Sequence, residues 1–206
     1  MPTTVAIIGA GPLGRWLALS AARAGFRVLL EDVMPRNLHH AQEFLRQQLG
    51  PGVLNRDSEA LAAIAFVSTI EEAVREADLV IDCVPDELES KLEILWLLDR
   101  MAPPRTVLAT PTTQLSIADL ANCTYRPAKC IAIAAEASSL AGKPAAEASE
   151  PISGRGAEIL LRTTTRTASE TIALVGNFWR QLGFIPVFEV DPADQPDKLA
   201  ASTGTV

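Results

Sequence analysis

The sequence is poor in the residues that build metal and disulfide sites. Its 206 residues include two histidines and three cysteines. Cys83, Cys123 and Cys130 have no CxxC spacing and no histidine nearby, so neither a zinc site nor a disulfide framework organises the chain, and no metal is expected. An odd, scattered set of thiols fits a reducing compartment, so a cytoplasmic protein is expected. Basic residues are the minority, 18 against 25 acidic ones, for a formal charge of −7. Nucleic acid and anionic membrane are poor partners for such a surface, because both would repel it. No apolar run approaches the length of a membrane span. The amino terminus has no basic region ahead of its apolar stretch, and Gly9, Gly11 and Gly14 interrupt that stretch, so no signal peptide is expected.

What is present is globular in character, with 48% apolar and 21% charged residues in a length that suits one domain. Short continuous apolar runs alternate with helical periods. Val5, Ala6, Ile7 and Ile8 read as a strand buried on both faces. A helix follows, with Leu13, Trp16, Leu17, Ser20, Ala21 and Ala24 at helical spacing. Further strands are expected at 27–32, 63–67, 78–84, 106–110, 129–134, 157–161 and 185–188. Helices are expected at 36–49, near 71–76, at 87–101, after Ser116 to about 122, and at 168–182. The 36–49 helix closes on Gly50, Pro51 and Gly52. On the 87–101 helix, Leu88, Leu92, Leu95 and Trp96 are placed on one side. Strands separated by helices of this length make βαβ units, which wind right-handed into a parallel sheet. The expected fold class is α/β: one domain over 1–190, with a doubly wound, mostly parallel sheet. Residues 137–156 are rich in Ala, Ser, Gly, Pro and Glu and read as a long surface loop. Residues 191–206 contain Pro192 and Pro196 and no apolar period, and read as a disordered tail.

Gly9, Gly11 and Gly14 form GxGxxG directly after a strand and at the opening of a helix. The pattern alone is weak, but the strand–turn–helix context gives it meaning. The first glycine permits the tight turn, the second lets backbone approach a pyrophosphate, and the third lets the helix lie close to the sheet. The diphosphate then rests on unpaired amides at the positive end of the helix. Pro12 suits the first turn, where its missing N–H costs nothing. Glu31 and Asp32 end the second strand, where an acid accepts hydrogen bonds from the adenosine ribose and repels a 2′-phosphate. This Rossmann pattern predicts NAD as cofactor, in preference to NADP.

Residues 7–15 (IIGAGPLGR), 24–32 (AGFRVLLED) and 77–91 (ADLVIDCVPDELESK) resemble the N-terminal NAD-binding domain of the 3-hydroxyacyl-CoA dehydrogenases. Residues 115–120 (LSIADL), Arg126 and Pro127 continue the likeness, which spans about 4–190. The 77–91 piece is the most specific, since ordinary Rossmann domains lack it. The resemblance implies that Asp32, not Glu31, holds the ribose. With Gly9, Gly11, Pro12, Leu13 and Gly14 at the diphosphate, it implies that Val84 and Pro85 line the cofactor's path. Asp86 falls where the family has a glutamate near the nicotinamide ribose, and Lys91 matches a lysine that reaches the cofactor.

The catalytic positions depart from the family. Its histidine base corresponds to Ala134. Its serine corresponds to Thr113, which keeps a hydroxyl, and Pro111 removes a neighbouring amide side chain. Glu158 matches the orienting glutamate across the intervening loop. Glu136 and Asp82 are substitute bases by position alone. His39 and His40 lie on the helix after the second strand and read as solvated. The family continues into a helical domain that completes the acyl-CoA cleft and forms the dimer contact, and this sequence is expected to lack it. Three readings stay open. One is a divergent oxidoreductase acting on a 3-hydroxyacyl-CoA type substrate, either as a homo-oligomer or completed by a separate helical subunit. The second is a non-catalytic module that binds or senses NAD(H). The third is a partner-binding scaffold with a degenerate nucleotide cleft, against which the intact glycines and Asp32 count.

Overall fold

The fold is taken from a computed structural model that describes residues 3–49, 55–135 and 156–195. Alternation along the strands decides which side chain meets which layer. In β1 (Thr4–Ile8), Val5 and Ile7 enter one apolar layer while Ala6 and Ile8 enter the other. The same split recurs in β2 (Arg27–Glu31), β4 (Leu79–Asp82), β5 (Val107–Pro111) and β6 (Cys130–Ile133). A strand apolar on both faces must be covered twice, and helices cover both sides of this sheet. The first layer is closed by α1 (Pro12–Arg23), α2 (Pro35–Leu49), α3 (Asn55–Ala62) and α7 (Ser169–Gln181). The second is closed by α4 (Ile70–Val74), α5 (Leu88–Met101) and α6 (Ile117–Asn122).

With β3 (Ile64–Val67), β7 (Glu158–Thr163) and β8 (Ile185–Val190), the sheet has eight strands in the order β3-β2-β1-β4-β5-β6-β7-β8. Every pair is parallel except β6–β7. The expected doubly wound, mostly parallel architecture is therefore present. Chain order reverses between β1 and β4, which makes the carboxyl ends of those strands the switch point where α/β sheets bind ligands. Around the β7–β8 corner, Phe178, Trp179, Phe184 and Trp16 interlock edge to face and are almost fully buried.

Three local readings change. Helix α3 was not expected; it buries Ala60 in the first layer. On α5, Leu88 and Trp96 are about half exposed, at 51% and 50%, and the buried face instead carries Lys91, Ile94, Leu95, Leu98 and Asp99. Arg100 stacks over the Trp96 ring at 4.7 Å, which shields part of it. Of the segment read as a tail, residues 191–195 form a 3-10 turn seated on α6. There the buried Asp191 Oδ2 accepts from Ser116 Oγ at 3.0 Å and Ala118 N at 3.1 Å. Residues 196–206, the Gly50–Gly52 turn and all but Gly156 of the proposed 137–156 loop lie outside the described residues. Arg126, at a position quoted for the family likeness, closes the C-terminus of α5. It donates to Asp99 Oδ1 (2.7 Å) and to the carbonyls of Pro103, Asp99 and Ala102.

Candidate cofactor site

The glycine loop is shaped by close contacts that no side chain could share. Gly9 ends β1 with φ +106°, a backbone that L side chains rarely adopt, and its N–H donates to Glu31 O at 2.8 Å. A Cβ on Gly14 would stand 1.8 Å from the Gly9 carbonyl oxygen. Only glycine lets α1 approach the turn this closely. Gly11 is different: nothing lies within 4 Å of the place its Cβ would take. That open space faces the start of α1, where no side chain caps the helix and the first turn holds no acid. Orphan amides, a positive helix end and room for backbone-to-ligand approach are what a diphosphate needs.

Asp32 follows β2 directly. It is 8% exposed, and both carboxylate oxygens are engaged. Oδ2 accepts from Ala10 N at 2.9 Å, which fastens the glycine loop to the end of β2, and Oδ1 accepts from Met34 N at 2.8 Å. Asn37 Nδ2 lies 3.1 Å from each oxygen.

Glu31 shares the sheet face of Leu29 and is 4% exposed. Burial, and after it the Asp32 charge, push its carboxyl up from 4.5 to about 7. A raised folded-state value means the native chain holds a proton that the unfolded chain releases. The stabilisation is complete below pH 4.5 and is lost as pH rises through about 7. Glu31→Gln cannot ionise. It should match wild type near pH 4.5 and exceed it by about 3 kcal/mol at pH 8.5. Urea midpoints across that range measure the difference, and a pH-independent gap would refute the buried-acid assignment.

Beyond the glycine loop, the carboxyl ends of β4, β5 and β6 enclose a cleft of about 380 Å³. Leu13, Cys83, Val84, Pro85, Asp86, Pro111, Thr113, Gln114 and Ala135 line it. Asp86 Oδ2 accepts from Thr113 N at 3.1 Å, tying the β4–α5 turn to the β5–α6 turn. Thr112 Oγ1 accepts from the Gln114 and Leu115 amides and shapes the second turn from within. The cleft thus unites Leu13, Val84, Pro85, Asp86 and Thr113 from separate parts of the chain. Their adjacency follows from β4 and β5 being sheet neighbours.

Other predicted residues lie elsewhere. Lys91 does not line the cleft: its ammonium bonds Asp82 Oδ1 at 2.6 Å, with Lys91 1% and Asp82 0% exposed. The pair occupies both groups, so Asp82 is not an open base. Ala134 continues β6, its N–H bonding Leu160 O at 2.9 Å, and offers no titratable group. Glu158 is exposed at the start of β7 and does not line the cleft. Glu136 is outside the described residues. His39 and His40 are exposed on α2, with His39 3.3 Å from Glu43. Burial pushes the ionisation of the Cys83 thiol above the usual thiol range, so it lines the cleft as a neutral thiol. The sequence reading missed Cys83 and Gln114 in the lining and Asn37 beside Asp32. Asn37 carried one weak signal, an amide side chain in the first turn of the helix that follows the acid. Among the described residues, no group of three or more His, Cys, Asp or Glu side chains could hold a metal, and no helix is long and apolar enough to cross a membrane.

Residues 4–134 match the family model described as the 3-hydroxyacyl-CoA dehydrogenase, NAD binding domain. A probable 3-hydroxybutyryl-CoA dehydrogenase of Bacillus subtilis is 34% identical over 133 residues, 62% of this chain and 46% of that protein. A 5-formyl-3-hydroxy-2-methylpyridine 4-carboxylate 5-dehydrogenase of Mesorhizobium japonicum is 26% identical over 193 residues, 91% of this chain and 57% of that protein. Among solved structures, the 3-hydroxybutyryl-CoA dehydrogenase of Escherichia coli K12 superposes with a TM-score of 0.78 at 25% identity, covering 94% of this chain and 39% of the other. The chain spans about half the length of the curated relatives it matches. The glycine turn with room at Gly11, the acid closing β2 and the match over 4–134 agree: the chain belongs to the family of 3-hydroxyacyl-CoA dehydrogenase NAD-binding domains, and NAD is its cofactor.

Proposed function

We propose that this chain is the coenzyme-binding part of an oxidoreductase that moves hydride between NAD and a CH–OH group on a 3-hydroxyacyl type substrate, and that it does so without the family's histidine-driven proton transfer. The observation that carries the reading is that Leu13, in the first turn of α1 two residues after the open position at Gly11, lines the same cleft as Val84, Pro85, Asp86 and Thr113. Gly9, Gly11, Pro12, Leu13 and Gly14 would hold the diphosphate and Asp32 the adenosine ribose. Val84, Pro85 and Asp86 would bound the nicotinamide end, and when bound the nicotinamide supplies the hydride chemistry. Thr113 carries the lining hydroxyl nearest in role to the family serine. Lys91 holds Asp82 and contributes through the fold, and Glu158, exposed at the start of β7, is left without a role in the cleft.

Ala134 removes the group that moves the proton. Loss of a general base typically costs 10²- to 10⁴-fold in rate. Purified protein should therefore bind NADH in calorimetry and reduce acetoacetyl-CoA at least about 100-fold more slowly than histidine-bearing family members. The absence of a histidine from the described cleft lining favours a second reading, a module that binds NAD(H) without turnover. NADH binding with no transfer above background would establish that reading, and no binding would remove both.

Coenzyme choice tests the ribose assignment. Wild type should prefer NAD to NADP by about 100-fold, because a 2′-phosphate beside Asp32 meets like charge. Asp32→Ala should lower NAD affinity about tenfold or more, from the lost charge-assisted hydrogen bonds, and bring the preference close to unity. An unchanged ratio in competitive titrations would move the ribose away from Asp32.

A further inference from the structure

The Asp32 carboxylate is saturated by the protein itself. Two oxygens offer about four lone-pair sites. Two are taken by backbone amides, Met34 N on Oδ1 and Ala10 N on Oδ2. The Asn37 amide sits 3.1 Å from both oxygens, across the edge that joins them. That shared edge is how a carboxylate reads a cis-diol, with one O–H to each oxygen.

We propose that Asn37 is a latch on the coenzyme site: it covers the diol-reading edge of Asp32 and must be displaced when an adenosine ribose binds. The inference rests on Asp32 being the ribose acid. A bracing role for Asn37 is redundant, because each oxygen already has its own backbone donor from a different loop. Removing the amide therefore leaves the carboxylate held and its outer edge open. Among the described residues, the Asn37 side chain hydrogen-bonds to nothing but Asp32. It is only partly buried and lies in the first turn of α2, with Arg36 before it and His39 after it exposed. Its own N–H donates to Met34 O at 2.9 Å, which fixes the backbone and not the side chain. The latch makes each binding event exchange one charge-assisted hydrogen bond for another, so the site holds its coenzyme less tightly than its Asp32 geometry allows.

The experiment compares Asn37→Ala and Asn37→Leu with wild type and with Asp32→Ala. The probes are NADH, ADP and 2′,3′-dideoxy-ADP, titrated calorimetrically, with thermal melts to confirm folding. Both Asn37 variants should bind NADH and ADP about three- to tenfold tighter, the range of one modest hydrogen bond. Their affinity for dideoxy-ADP, which has no diol, should not change. Equal or weaker ADP binding, while Asp32→Ala still loses affinity, would overturn the latch and leave the ribose assignment standing. Tighter binding of ADP and dideoxy-ADP alike would also overturn it, since the gain would not come from the diol. If Asp32→Ala leaves ADP affinity untouched, the ribose assignment itself fails, and the latch with it.

Discussion

Gly14→Ala should strongly destabilise the domain, whereas Gly11→Ala should fold normally and lose the coenzyme. The two glycines differ by three positions and share one motif, but their surroundings are opposite. At Gly14 a methyl carbon would stand 1.8 Å from the Gly9 carbonyl oxygen, which is backbone and cannot swing aside. Helix α1 would have to lift from β1, opening the layer that buries Leu13, Leu17 and Ala18. Losses of about 3 kcal/mol belong to this class of overpacking. In a domain of this size that is a fall in Tm of roughly 10 °C. The intrinsic helix preference of alanine, about 1 kcal/mol over glycine, is too small to offset it. At Gly11 the backbone is ordinary, with φ −66° and ψ −173°, and no atom lies within 4 Å of the new carbon. Stability should change by less than about 0.5 kcal/mol. NADH affinity should fall at least about tenfold, because the methyl fills the space where backbone meets diphosphate. Wild-type NADH binding by Gly11→Ala would remove the diphosphate from this turn. A wild-type Tm for Gly14→Ala would contradict the close approach of α1 to the sheet.

That contrast also marks what could be read from the residues alone. The glycine turn and Asp32 are legible because their chemistry is local: strand, turn and helix fix the motif's geometry within a dozen residues, and the acid ends the next strand. Continuous runs such as Val5 to Ile8 announce strands covered on both faces. What stayed hidden depends on partners distant in sequence. Lys91 is an example. Apolar periodicity turns Leu88 and Trp96 inward, but the face of α5 that packs carries Ile94, Leu95 and Leu98 together with Lys91, whose ammonium pairs with Asp82 on β4, and the tryptophan is half exposed. Prolines 192 and 196 read as disorder, yet Asp191 fastens the described 191–195 segment to the start of α6 with two hydrogen bonds from Ser116 and Ala118. Asn37 faces Asp32 only because the short turn at Val33 and Met34 folds α2 back over the end of β2. Val84, Pro85 and Asp86 of the cleft lining were reached through the family likeness at 77–91, not through any local pattern.

The Asp82–Lys91 pair carries the second large effect, and it also decides what Lys91 does. Asp82→Val should destabilise the domain by 3–5 kcal/mol, because it strands an ammonium that is 1% exposed. Lys91→Met should also destabilise, with a pH dependence of its own. Burial already raises the Asp82 carboxyl, against the lowering pull of Lys91. With the lysine gone, the acid is retained as the neutral form. The penalty is then smallest in acid and grows as pH rises and the folded chain must either keep the proton or bury a bare charge. The double variant Asp82→Val/Lys91→Met should return to within about 1 kcal/mol of wild type, since apolar groups replace both ends of a pair that pays heavily for desolvation. Urea unfolding of the four proteins closes the cycle, and strictly additive losses would show the two charges to be uncoupled. Asp82 directly precedes the turn formed by Cys83, Val84, Pro85 and Asp86, so the folded double variant also reports on function. If Lys91 serves only to hold β4 against α5, NADH affinity should stay within about twofold of wild type, as expected when no contact to the ligand is lost. A stable double variant with NADH binding reduced more than about tenfold would give Lys91 the direct cofactor contact that its family counterpart has, and would require its ammonium to leave Asp82 when the coenzyme arrives.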